Sequence, residues 1–159
     1  MTASTAATKK TPPAAAEQKA VRGGKPISWE AFERRYLTRE DGYKYEWVDG
    51  KVEKTLRAID RTQLYILRNL LEHFRNLRIK NQVHGELIAE HDLFFLSNQR
   101  RPDVCWLTDA QIDALADPEA YEIPAFVIEV ISSKDQINRV KKKLLEYRDA
   151  GVQVVWHIF

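Results

Sequence analysis

The sequence predicts a mixed α/β domain in which a mixed central sheet is flanked by helices and carries an N-terminal β-hairpin. Three observations lead there. Two alternating segments, Tyr43 to Val48 and Lys51 to Leu56, are joined by Asp49-Gly50, a strong short-range hairpin signal. The run from Pro124 to Ser132 is apolar throughout its middle except at Glu129, as in a strand covered on both faces by helices. Between it and a second apolar strand, Val152 to Phe159, lies one helix-length segment; strand, helix and strand in that spacing form a right-handed crossover with the strands parallel.

Residues 1–25 are rich in Ala, Thr, Lys and Pro and end near Gly23-Gly24; they cannot bury enough apolar surface to offset ordering entropy and are expected to be a disordered basic leader. Residues 26–159 form the folded domain. Ser28 caps a short helix from Trp29 to about Tyr36, with Trp29, Phe32 and Tyr36 on one face. The hairpin follows. A long helix from Asp60 to about Arg78 repeats Leu64, Leu67, Leu71, Phe74 and Leu77 at three and four, which marks a core face. Gly85 to Leu96 reads as a strand, Ser97 to Arg101 as a polar turn, and Pro102 to Leu107 as the next strand. Asp109 is expected to cap a short helix over Ala110 to Leu115. After the Glu129 strand, Ser133, Lys134 and Asp135 cap a helix from about Gln136 to Ala150, stopped by Gly151, with Ile137, Val140, Leu144 and Tyr147 as its buried stripe. The chain stops in or just after the last strand, so a C-terminally truncated domain with an unfinished sheet edge is expected.

Composition narrows the function. The net charge of +2 divides into +4 on residues 1–25 and −2 on the rest, so any nucleic-acid affinity needs a local patch rather than a global field. No apolar run reaches the length of a membrane span. Cys105 is the single cysteine, which removes internal disulfides and cysteine-rich zinc sites and fits a cytoplasmic protein. His84 and His91 would point to opposite faces of a strand, which argues against a transition-metal site with Glu86.

Three residues stand where folding alone does not ask for them. Asp103 opens an apolar strand after Pro102, Glu129 lies inside the next one, and Lys143 follows on the helix beside its buried stripe. If the strands are neighbours, the two carboxylates face each other and need a cation between them. Two carboxylates with water suit Mg²⁺ or Mn²⁺, and a nearby lysine can orient an attacking water or stabilise phosphoryl charge. Such a group hydrolyses phosphodiesters. Glu46, between Tyr45 and Trp47 on the hairpin, is a further candidate, its plain reading being an exposed strand carboxylate.

Pro102-Asp103, Glu129-Val130-Ile131-Ser132, Lys143 with Tyr147, Ala150-Gly151-Val152 and Trp156 together resemble the Uma family of restriction-endonuclease-type proteins, within the PD-(D/E)XK nuclease superfamily. Tyr45-Glu46-Trp47-Val48-Asp49-Gly50 is similar to that family's N-terminal hairpin motif. The resemblance runs from about Ile27 to Phe159 and implies a restriction-endonuclease-like core. It implies Asp103 and Glu129 as ligands of Mg²⁺ (or Mn²⁺) and Lys143 and Glu46 as further catalytic residues of a DNA endonuclease. The superfamily lysine normally stands two residues after the acid, where this chain has Ile131; the resemblance moves its role to Lys143 on the helix. A homodimer is expected on the general ground that cutting a duplex needs two sites. The alternative is a catalytically inactive nuclease fold that binds nucleic acid or protein, with Arg139, Lys141 and Lys142 as the nucleic-acid contacts.

Overall fold

The structure, a computed structural model, describes residues 25–56, 61–95, 98–118, 120–131 and 137–159. The expected leader therefore lies outside the described residues apart from Lys25, as do Asp60 at the start of the long helix and the caps Ser133 to Asp135.

Helix α1 (Trp29–Phe32) starts where Ser28 Oγ accepts from the Ala31 N–H, and it continues as a π-helical turn, Glu33–Leu37. Strands β1 (Tyr43–Val48) and β2 (Lys51–Leu56) form the predicted hairpin, with Val48 opposite Lys51. Its two turn residues, Asp49 and Gly50, both have positive φ (50° and 72°), the conformation that an Asp-Gly pair tolerates best. Helix α2 spans Arg61–Ile79. Its inward row, Ile66, Leu67, Leu70, Leu71, Phe74 and Leu77, is only half-buried, and Leu64, expected in the core, is exposed.

The segment predicted as one strand from Gly85 to Leu96 is broken. It divides into β3 (Glu86–Ala89) and β4 (Leu93–Phe95), with Glu90 at φ 50° between them. The predicted polar turn is likewise a strand, β5 (Asn98–Arg100), whose three residues are all buried. Hydropathy misreads it because its side chains are satisfied by partners rather than by solvent. Then come β6 (Val104–Leu107), α3 (Asp109–Ala114), β7 (Phe126–Val130), α4 (Ile137–Ala150) and β8 (Val154–Ile158). The cap of α3 is Thr108 rather than Asp109: its hydroxyl accepts from the Gln111 N–H and the Gln111 side chain returns the bond.

The strands make two four-stranded sheets, ordered β2-β1-β5-β4 and β3-β6-β7-β8. The hairpin is thus half of a sheet rather than an appendage. In the second sheet β6 and β7 are antiparallel, while β7 and β8 are parallel as the crossover predicts. After α2 carries the chain from β2 to β3 in the other sheet, two short passages cross between the sheets, at residues 90–92 and 101–103. The passages are tied together: the Glu90 N–H donates to the Asp103 carbonyl at 3.2 Å, and the Arg101 guanidinium grips Asp92 at 2.7 and 2.8 Å. Leu93, Phe95, Cys105, Leu107, Val127, Tyr147 and Val152 pack the core behind this corner. Burial pushes the Cys105 thiol up to about 12. Among the described residues no helix is long and apolar enough to cross a membrane.

Candidate active site

Side chains from both sheets and from α4 converge at the corner. Glu46 on β1 is buried, which overturns its plain reading as an exposed strand carboxylate. Its Oε1 accepts from the Arg101 backbone N–H at 2.8 Å and lies 3.2 Å from Lys143 Nζ; its Oε2 lies 3.2 Å from Arg100 Nη1. Burial by itself would raise its pKa, but Lys143, Arg100 and Lys44 outweigh burial and hold the carboxyl well below the usual range.

Glu129, the fourth of the five residues of β7, is also buried. Its Oε1 receives Lys143 Nζ at 2.7 Å and the Tyr147 hydroxyl at 2.7 Å. The Tyr147 ring belongs to the core, so the hydroxyl approaches Glu129 from a fixed position; burial and then the Glu129 charge push its pKa well above the usual phenol value. Asp103 stands one position beyond the last β6–β7 pair, Val104 opposite Ile128, and so beside Glu129. Its Oδ2 accepts from the Val130 N–H at 2.8 Å, and its Oδ1 from Lys44 Nζ at 3.1 Å.

Lys143 thus joins Glu46 and Glu129, while Asp103 is linked to them through Lys44 and the backbone of Arg101, whose N–H donates to Glu46. All four sequence candidates gather at one place. The reason lies in α4, whose inward side differs from the expected stripe. Ile137 and Leu144 are exposed, and the side toward the sheets carries Arg139, Val140, Lys143, Glu146, Tyr147 and Ala150. These recur at three and four, as a helix face must, but half of them are charged.

Two cations were missed. Lys44 shares the β1 face of Glu46 by two-residue alternation, a signal present in the sequence. Arg100 gave no such signal, because it falls in the stretch read as a turn. Its guanidinium is almost fully buried and meets Glu46, Glu53 (2.9 Å) and Glu146 (2.7 Å). The expected nucleic-acid contacts are partly engaged inside the protein: Arg139 pairs with Glu53 at 3.2 Å and Lys142 with Asp49 at 2.6 Å.

The sequence profile of the Uma2 family, described as "Putative restriction endonuclease", matches residues 29–159. The chain belongs to this family. Among solved structures it is similar to a protein of Anabaena variabilis described as a putative nuclease belonging to DUF820. The TM-score is 0.65 at 19% identity, covering 83% of this chain and 73% of that one. At that identity the likeness concerns the fold, and it agrees with the mixed α/β architecture above. No curated protein matches the chain. The Uma2 match spans both sheets and every residue of the corner cluster.

Proposed function

We propose that this Uma2 protein is a metal-dependent DNA endonuclease that hydrolyses phosphodiester bonds at the corner of the two sheets. The observation that carries the reading is the position of Lys143. Although it lies on α4, 14 residues beyond Glu129 rather than two, its Nζ reaches the Glu129 carboxylate at 2.7 Å and that of Glu46 at 3.2 Å.

The donors fit a hard divalent cation. Asp103 and Glu129 offer two carboxylates from facing positions, one just before β6 and one on β7. That is the pattern of Mg²⁺ or Mn²⁺, which keeps several waters when protein supplies one or two carboxylates. On this reading Asp103 and Glu129 hold the ion, which when bound supplies a Lewis acid and an acidified water. The chain's own groups prepare the site. The Val130 N–H and the Tyr147 hydroxyl each fix one carboxylate oxygen, so neither ligand rotates freely. Glu46 holds the Lys143 ammonium in place beside Glu129, where it would stabilise the negative charge that grows on the phosphoryl oxygens. A homodimer would bring two such sites to a duplex, and a free buried Cys105 suits a cytoplasmic enzyme. The alternative, an inactive nuclease fold that binds nucleic acid or protein, would use Arg139 and Lys142 only by exchanging their surface pairs with Glu53 and Asp49.

Plasmid nicking in Mg²⁺ tests the reading directly. Asp103→Asn and Glu129→Gln should each slow nicking by about a hundredfold or more and abolish calorimetric Mn²⁺ binding. Lys143→Met should slow nicking by about a hundredfold while retaining the metal. Undiminished nicking by Glu129→Gln, or in a chelator, would remove the proposal.

A further inference from the structure

Lys44 is an ammonium at this site to which the nuclease reading gives no task. It stands on β1 two residues before Glu46 and projects from the same face of the strand. Its Nζ donates to Asp103 Oδ1 at 3.1 Å and to the Arg101 carbonyl at 3.0 Å, and its side chain is 14% exposed. The second anchor, on the Arg101 carbonyl, belongs to the passage between the sheets and ties the ammonium to the corner. Asp103 is therefore held from two sides, Oδ2 by the backbone of β7 and Oδ1 by Lys44.

A carboxylate that carries a fixed ammonium is already neutralised, and a divalent ion approaching it meets a like charge a few ångströms away. We propose that Lys44 is a positioning residue that serves as the resident counter-cation of Asp103, orienting its carboxylate and setting a low affinity for divalent metal in the free protein. The inference rests on the assignment of Asp103 as a ligand. It goes beyond that assignment in predicting that loss of a cation from the site strengthens metal binding. A merely structural lysine would predict the reverse, since loosening Asp103 would scatter the donors.

The experiment is calorimetric titration of Mn²⁺ into the full chain as wild type, Lys44→Gln, Lys44→Met and Lys44→Arg, with folding checked by far-UV circular dichroism. Gln removes the charge and can still donate to Asp103. Lys44→Gln should bind Mn²⁺ about tenfold more tightly or better, and Lys44→Arg about as the wild type does. Lys44→Met is read in the same way if the Gln variant does not fold. Equal or weaker binding by the uncharged variant, with wild type binding normally, overturns the counter-cation and leaves the nuclease reading intact. Binding gained only in the uncharged variant supports the counter-cation and removes the native metal. Absence of binding in every protein overturns both.

Discussion

Arg100 shows how much one residue contributes to this site without resembling a site residue. Its side chain is 3% exposed, and its guanidinium lies within 3.2 Å of Glu46, Glu53 and Glu146, which come from both strands of the hairpin and from α4. Glu146 is half-buried, and its buried Oε1 has no hydrogen-bond partner among the described residues, with Lys142 Nζ 3.6 Å away. Deleting a buried cation leaves its carboxylates uncompensated, which costs far more than the intact cluster contributes relative to an apolar replacement. Arg100→Leu should therefore destabilise the protein by roughly 3–5 kcal/mol in urea denaturation. A loss below about 1 kcal/mol, the scale of a surface ion pair, would mean that the cluster is solvated in practice.

At the level of elements, turn geometry decides which faces meet. Gly85 enters β3 with φ 76°, and a Cβ there would lie 2.2 Å from the Leu107 carbonyl oxygen and 2.8 Å from Trp106 Nε1. Neither neighbour is free to yield: Leu107 is in the β3–β6 ladder, and Trp106 Nε1 donates to the His84 carbonyl at 2.8 Å. Gly85→Ala combines a left-handed backbone with a backbone clash and should cost about 2–4 kcal/mol. The hairpin turn is the contrasting case. Gly50 also has positive φ, but no atom lies within 4 Å of its would-be Cβ, so Gly50→Ala should cost only the backbone strain, about 1 kcal/mol. Equal losses in the two variants by urea denaturation would refute this ordering.

Across the whole molecule, the corner cluster is a joint between the two sheets. Glu46 belongs to one sheet and Glu129 to the other, and both are held by Lys143 of the helix that lies over them. The joint is electrostatic, so its strength depends on pH. The Glu46 carboxyl is held below its ordinary value of 4.5 in the folded protein, which means that the unfolded chain takes up its proton first. The stability it contributes is complete above about pH 4.5 and declines as pH falls from there toward the folded value. Urea denaturation from pH 7 to pH 3 should show wild type losing stability more steeply below that point than Glu46→Gln, which is weaker at pH 7 but flatter. Parallel slopes would place the acid sensitivity elsewhere.

The sequence by itself determined the pieces whose cause is local. Asp49-Gly50 specifies the hairpin because both residues tolerate positive φ, and the spacing from Phe126 to Ile158 specifies a parallel crossover because few other connections of that length exist. The odd placement of Asp103, Glu129 and Lys143 was visible because each conflicts with its surroundings. The tertiary structure alone decided where the sheet divides, that Asn98, Gln99 and Arg100 are buried, and that α4 turns charged side chains inward. Those outcomes have one physical origin. A buried charge is stable only beside its partner, and the partners of Arg100 lie 46 to 54 positions away, a distance that no local pattern can register.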